Sequence, residues 1–156
     1  MSVAAERALI LAVLDAVDDV GTTHDYKRWS VKWGDFLDQF KAAIDSVDQI
    51  RGWELTWLGY SGATQESMRR DERGIERQSN WRIDGYMSVD DANASAKTFD
   101  DLVASIVDAL DASTTINARA VCLWRSPANA LVDFRLFGSV LVHHAEITLS
   151  LQVRNP

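Results

Sequence analysis

His143, His144 and Glu146 are the residues of this chain best suited to chemistry, because imidazole and carboxylate groups bind metal ions and transfer protons. They lie within residues 140–154, where apolar and polar side chains alternate as in a strand with one buried and one solvent-facing side. Neighbouring residues of a strand point to opposite faces, so the two histidines cannot bind one ion together. His144 and Glu146 share a face, but two ligands are too few for a structural zinc site. We therefore predict no metal site, with His143 partly buried and hydrogen-bonded in the sheet, and with His144 and Glu146 as surface or interface residues.

The other candidates for catalysis lack the sequence context that their chemistry requires. Cys122 falls on a predicted strand, where a thiol is typically buried and inert. It is the single cysteine and cannot form a disulfide within the chain, which fits a reducing compartment. None of the serines occupies a Gly-x-Ser-x-Gly turn, and the eight glycines are scattered rather than gathered in a phosphate-binding loop. We predict that the protein is not an enzyme and requires no cofactor.

The chain is acidic, with a net charge of −7 and a pI of about 4.8, so its surface repels phosphate groups. Tight nucleic-acid binding by the isolated chain is therefore not expected, although DNA could pass an acidic wall without adhering to it. The apolar run at residues 8–14 is cut short by Asp15, Asp18 and Asp19, well below the ~20 residues that a membrane span needs. These acids also stand where a signal peptide would carry its small-residue cleavage site. The sequence predicts a soluble protein of intracellular origin.

Periodicity divides the 156 residues into three predicted helices and five predicted strands. The helices, each marked by apolar residues at helical spacing, are predicted at residues 2–20, 32–47 and 98–110. Alternation predicts strands at residues 51–60, 80–89 and 140–154, and two further strands are predicted at 118–124 and 131–137, separated by a turn. This order indicates a single α+β domain spanning residues 1–156, with an antiparallel or mixed β-sheet of about five strands packed against two to three helices.

Some of these elements carry specific expectations. Thr98 is expected to cap the third helix, with two aspartates in its first turn, where the helix dipole favours anions. Residues 22–30 are expected to be irregular, and residues 90–97 to form a linker. The polar segment 61–79 is expected to be a long exposed loop or the extended tip of a hairpin. In the first strand, one face is expected to carry Trp53, Leu55 and Trp57, and the other Glu54, Thr56, Leu58 and Tyr60.

Tryptophan and arginine dominate protein interfaces, and this chain has six tryptophans. Most of the tryptophans are expected in the core, with one or two contacting a partner subunit. The arginines within 61–79 are interspersed with acids, so the segment is not a polybasic patch, but it could contact a neighbour if the protein assembles. The predicted interface residues are Arg69, Arg70, Arg73, Arg77, Trp53, Trp57, His144 and Glu146.

The element order and several short stretches resemble the tail terminator proteins of long-tailed bacteriophages. Those are small α+β domains with an N-terminal helix, a strand pair, a crossing helix and three closing antiparallel strands. The stretches that carry the resemblance are Asp84-Gly85-Tyr86-Met87, Thr98-Phe99, Phe137-Gly138 and His143-His144-Ala145-Glu146. The predicted helix at 32–47 departs from the simplest layout of the family.

The resemblance implies a homohexameric ring in the virion, assembled in the host cytoplasm, at the head-proximal end of the tail tube. Such a ring binds the last ring of tube protein, stops further polymerisation and offers a surface to the head connector. DNA passes through its lumen without specific binding. Two alternatives remain open: another phage neck or tail-completion role, and a bacterial α+β ligand-binding domain that could be enzymatic.

Overall fold

The structure, a computed structural model, describes residues 2–64, 75–113, 122–124 and 129–155. Within these ranges lie three α-helices, α1 (Val3–Asp15), α2 (Trp33–Asp38) and α3 (Ser95–Ala112), and a 3-10 turn at Asp91–Asn93. The strands in the same ranges are β1 (Thr22–His24), β2 (Lys41–Ile44), β3 (Val47–Thr64), β4 (Ile75–Ser88), β5 (Cys122–Trp124), β6 (Asn129–Phe137) and β7 (Val140–Asn155). The α+β class predicted from the sequence is confirmed. No helix in the described ranges is long and apolar enough to cross a lipid bilayer.

The described strands form one mixed sheet with β3, β4 and β7 at its centre. These three strands are antiparallel, and β4 is paired on both sides along almost its whole length. Strands β1 (parallel) and β2 (antiparallel) follow each other along the outer edge of β3. Strands β6 and β5 follow each other along the outer edge of β7. The two strands that the sequence did not predict, β1 and β2, are short edge strands in segments expected to be irregular or helical.

Helices α1 and α3 lie on one face of the sheet and form the main hydrophobic core with it. Ile10 and Leu14 of α1 and Ile106 and Leu110 of α3 are fully buried, as is Trp81 of β4. Complete burial of one such side chain stabilises the fold by about 1.5–3 kcal/mol. The apolar stripe predicted for the third helix is therefore confirmed. We call this face of the sheet the helix side.

The start of α3 differs from the prediction, because the helix begins at Ser95 and Thr98 lies inside it. The chain turns just before the helix, where the Asp90 carboxylate accepts a hydrogen bond from the backbone N–H of Asn93. Ala94 then adopts a left-handed conformation with φ of 53°. Asp90 thus caps the 3-10 turn, whereas Ala94, the residue before α3, makes no side-chain capping hydrogen bond. The cap predicted at Thr98 is therefore wrong, and the two aspartates expected in the first turn lie further along the helix.

The helix predicted at 32–47 is wrong beyond Asp38, where α2 ends. Asp45 and Ser46 adopt φ values of 51° and 65°, and they form a tight turn that pairs Ile44 with Val47. Two successive left-handed residues match the twist of a two-stranded hairpin, so β2 and β3 form there instead of a continued helix. The apolar spacing persisted through this turn and therefore resembled a longer helix.

The flanks of the polar segment 61–79 are strands in the structure. Strand β3 continues to Thr64 and β4 begins at Ile75, with Thr64 paired with Glu76. The residues between them, 65–74, lie outside the described part of the chain.

Candidate functional site

Strand β6 and the start of β7 carry a group of exposed apolar residues. It pairs with β7 on one side, and no described strand pairs with its other side. Leu131, Phe134 and Leu136 are 71%, 57% and 67% exposed, although such side chains are usually buried. We call the group of exposed apolar residues here the β6 surface: Leu131, Val132, Phe134, Leu136, Val140 and Leu141. A surface of this kind is typical of a contact with another protein.

A second apolar group lies on the connection between β1 and α2, where Trp29 is 78% exposed. The backbone N–H of Arg28 donates to Oε2 of Glu54 at 2.6 Å and fixes this connection against the sheet. The Trp33 ring lies 5.4 Å from that of Phe137, at the end of β6. We call this group the loop surface: Tyr26, Trp29, Val31 and Trp33. This group was not predicted from the sequence, although aromatic and basic residues are interspersed at positions 26–33.

A bulge in β3 creates a third apolar group. The pairing with β4 shifts between Trp57 and Gly59, and Gly59 has a φ of 103°, which glycine adopts without strain. The extra residue places Tyr60 opposite Ser79, on the helix side, with its ring 5.3 Å from that of Trp57. The prediction that Tyr60 faces away from Trp57 is therefore wrong. We call Trp57, Leu58 and Tyr60 the β3 surface.

His144 is 1% exposed, so its expected position at the surface is wrong. Its Nδ1 lies 2.7 Å from Oδ1 of Asp133, and its Nε2 lies 3.4 Å from Oδ1 of Asp84. The Tyr86 ring packs against the imidazole at 5.4 Å between centroids. The alternation correctly placed His144 opposite the helix side, but α2 and the aromatic cluster around Tyr86 cover that face at this end of the sheet.

The buried carboxyl groups beside His144 have pKa values shifted in opposite directions. Burial raises the pKa of Glu54, and the charge of Asp84 raises it further, against hydrogen bonds from Arg28 and Tyr86. Burial alone would also raise the pKa of Asp84, but the hydrogen bond from His144 and the charge of Arg82 outweigh burial and lower it. The Tyr86 hydroxyl donates to Oε1 of Glu54 at 3.2 Å, and burial raises the pKa of this tyrosine strongly.

This polar network joins strands rather than presenting groups to a substrate. Asp84 belongs to β4, His144 to β7 and Asp133 to β6, so their contacts tie the three strands together. Glu54, Asp84 and His144 are shielded from solvent, and a substrate could reach them only if the covering residues moved. In the described residues, no three or more His, Cys, Asp or Glu side chains are arranged to bind a metal ion.

His143 lies on the helix side, next to the N-terminus of α3. Its Nε2 is 2.8 Å from Oγ of Ser95, and its ring lies 4.9 Å from that of Phe134 and 5.5 Å from that of Phe99. Burial lowers the pKa of His143. The prediction of a hydrogen-bonded histidine within the sheet is confirmed, with fuller burial than expected.

Trp53 is fully buried. Its indole N–H donates to the carbonyl of Val20 at 2.9 Å, and its ring stacks on that of Phe99. Its predicted interface role is therefore wrong, whereas Trp57 is partly exposed on the β3 surface. Glu146 is also partly exposed, with Oε2 3.8 Å from Nη1 of Arg82.

Of the four arginines predicted at an interface, only Arg77 lies within the described residues. Arg77 is placed only by its backbone, which is paired with Ala63 in β4 and β3. Arg69, Arg70 and Arg73 lie outside the described residues. Neither models of known protein families nor curated protein sequences give a match to this chain.

Proposed function

We propose that this chain is a structural subunit of a long-tailed bacteriophage and acts as its tail terminator. Six copies form a ring that caps the head-proximal end of the tail tube. The ring stops the tube protein from adding further rings, and it offers a new surface to the head connector. DNA passes through the lumen.

The observation that best supports this proposal is the presence of two unlike apolar surfaces towards opposite edges of the sheet. The β6 surface lies beyond β7, and the β3 surface lies on the far side of β4 from β7. A ring in which each copy meets the next in the same sense requires two different surfaces on every copy. Clusters of exposed apolar side chains mark contacts with other proteins.

A terminator also needs a surface for the tube or the connector, and the loop surface suits that need. Lys27, Arg28 and Lys32 accompany its aromatic residues, so this region is basic in a chain of net charge −7. The Nζ of Lys27 lies over the Trp29 ring at 5.1 Å. A partner with acidic groups around an apolar contact would complement this surface. The acidic balance of the whole chain disfavours retention of DNA in the lumen.

A tube that grows by stacking identical rings has no built-in stop, so loss of the terminator should be visible in the length of the tails. The test is deletion of the gene, followed by electron microscopy of lysates. We expect overlong tubes that are not attached to heads. Tails of normal length joined to filled heads would contradict the proposal. Tails of normal length without heads would indicate another neck role.

Complementation of the deletion then tests the surfaces. Leu58→Asp on the β3 surface and Trp29→Asp on the loop surface should leave the melting temperature nearly unchanged and fail to restore normal tails. Val89→Asp is the matched control, because Val89 is an exposed apolar residue outside the three surfaces. Full rescue by both surface variants would contradict a role for these surfaces in assembly.

The second candidate is a ligand-binding domain, and a cleft of about 510 Å³ favours it. Among apolar and neutral polar residues, its lining carries three aspartates, Asp45, Asp48 and Asp90, and one cation, Arg51. Such a lining suits a small organic cation. Thermal-shift measurements with diamines test this alternative. A rise in melting temperature that Asp48→Asn abolishes would favour it over the phage role.

A further inference from the structure

Strand β6 leaves one row of backbone groups without a partner in the described part of the sheet. Its N–H and C=O groups pair with β7 from Asn129 opposite Thr148 to Phe137 opposite Val140, and no described strand lies on the other side. Natural edge strands are usually protected by lysines, prolines, bulges or short length. Strand β6 has nine residues, an unbroken register and no proline, and its charged residues are Asp133 and Arg135.

We propose that β6 pairs antiparallel with β6 of a second copy of this chain. The two strands are related by a two-fold axis that runs between the two copies of Phe134, so that Phe134 opposes itself. The two sheets then join into one continuous sheet. Each copy supplies the same strand, so the contact is closed and does not propagate. This pairing is a state of the free chain, and it does not depend on the phage role.

The register follows from the faces of the strand. A two-fold axis perpendicular to the sheet keeps every side chain on its own face, and directly opposed residues must share a face. Only registers in which one residue opposes itself meet both conditions. An axis at Asp133 or at Arg135 would place two like charges directly opposite each other, which is unfavourable. An axis at Val132 would place Asp133 opposite Leu131.

An axis at Phe134 gives favourable cross-strand pairs from Leu131 to Phe137. Asp133 then opposes Arg135 of the second copy, and the same ion pair forms again on the other side of the axis. Apolar residues oppose apolar residues in the other pairs: Phe134 with Phe134, Val132 with Leu136, and Leu131 with Phe137. Opposite charges and apolar pairs are the cross-strand combinations that stabilise antiparallel strands.

The charged side chains are already placed for this contact. Both are close to half exposed, and Nε of Arg135 lies 3.9 Å from Oδ1 of Asp133 within one copy. Nδ1 of His144 lies 2.7 Å from the same carboxylate oxygen and holds the Asp133 side chain. A second copy would bring another guanidinium to this carboxylate. The strand is thus neutral and self-complementary in a chain whose net charge of −7 otherwise opposes self-association.

A charge exchange tests the register. We expect the purified chain to be a dimer by sedimentation equilibrium, and Arg135→Asp to weaken the dimer about tenfold or more, because it opposes two aspartates. Asp133→Arg should weaken it similarly, whereas the double variant Asp133→Arg/Arg135→Asp should restore association. Melting curves establish that each variant is folded. A monomeric wild-type chain at millimolar concentration, or a dimer that none of these changes affects, would overturn the proposal.

Disulfide trapping provides a test that does not disturb the contacts of Asp133 with His144. In a Cys122→Ser background, Phe134→Cys places a thiol opposite its own copy, and we expect it to form a covalent dimer under mild oxidation. Arg135→Cys is the matched control, since the neighbouring position does not oppose itself. Equal trapping of both variants would overturn the proposed axis. Hexamers that leave Cys at position 134 unlinked would also overturn it, while leaving the proposed ring in place.

Discussion

Glu54 and Asp84 oppose each other across β3 and β4, with both carboxyl groups almost completely removed from solvent. Two buried acids side by side are unfavourable unless hydrogen bonds and opposite charges compensate them. Asp84 has such compensation, because Nε of Arg82 lies 2.9 Å from its Oδ2 and His144 contacts its Oδ1. Glu54 accepts from one backbone N–H and one tyrosine hydroxyl, and no cationic side chain of the described residues forms an ion pair with it. The two acids should therefore affect stability in opposite directions.

Asp84→Asn should lower the free energy of unfolding at neutral pH by about 1–3 kcal/mol, because it leaves Arg82 and His144 without their carboxylate partner. The lowered pKa of Asp84 means that its contribution is present above the pKa of the unfolded chain and is lost as pH falls through the folded value. The gap between wild type and variant should therefore shrink towards acidic pH. Chemical denaturation across a pH series measures this gap, and a constant gap would contradict the assignment.

Glu54→Gln should have the opposite effect. The raised pKa of Glu54 means that its favourable contribution is present below the pKa of the unfolded chain and is lost as pH rises through the folded value. Replacing the buried charge by an amide should increase stability above that value by an amount on the order of 1 kcal/mol, and by less in acid. The same denaturation series tests this prediction. A variant that is less stable than wild type at every pH would refute it.

Gly85→Ala should destabilise the fold by about 1–3 kcal/mol or more, because an added Cβ would overlap the ring of Trp53 on the paired strand. Gly34→Ala is the matched control. Nothing lies within 4 Å of a Cβ added there, and alanine is favoured over glycine in a helix by up to ~1 kcal/mol. Thermal unfolding of the two variants should therefore shift in opposite directions, and equal shifts would contradict this packing.

The polar segment 61–79 yields a prediction from the sequence alone. Reversal of Arg69, Arg70 and Arg73 to glutamate should leave the melting temperature almost unchanged, since exposed charges contribute only ~0–1 kcal/mol each. It should impair tail assembly if these residues contact a neighbouring subunit or the tube. Melting curves and assembly assays on the triple variant decide the matter, and normal tails would count against an interface role.

The sequence predicted α3 and β7 well, because each has a continuous pattern of buried residues on one face. Leu102, Ile106 and Leu110 follow helical spacing, and Ala145 and Ile147 follow strand alternation. In each of these elements one face contacts the core along its whole length, so the buried residues recur with a single period of about 3.6 in the helix and 2 in the strand. The predicted central strand pair was also correct and proved longer than expected.

The errors arose where one residue or a distant segment changed the geometry. The tight turn at Asp45 and Ser46 converted part of an apparent helix into a hairpin, and Gly59 moved Tyr60 to the other face of β3. His144 became buried because aromatic residues about a hundred positions away cover its face. The β6 surface was missed because alternation identifies a strand but not its place at the edge of a sheet.

The position of β4 at the centre of the sheet has a consequence for how the molecule opens. This strand is bonded on both sides, so its amide protons should exchange with solvent only when the whole domain unfolds. Strands β1, β2 and β6 have one described neighbour each and should exchange through local opening at lower cost. The margins of the sheet can therefore detach and re-form while the centre stays intact. An edge strand can in this way leave one partner strand and pair with another while the domain stays folded.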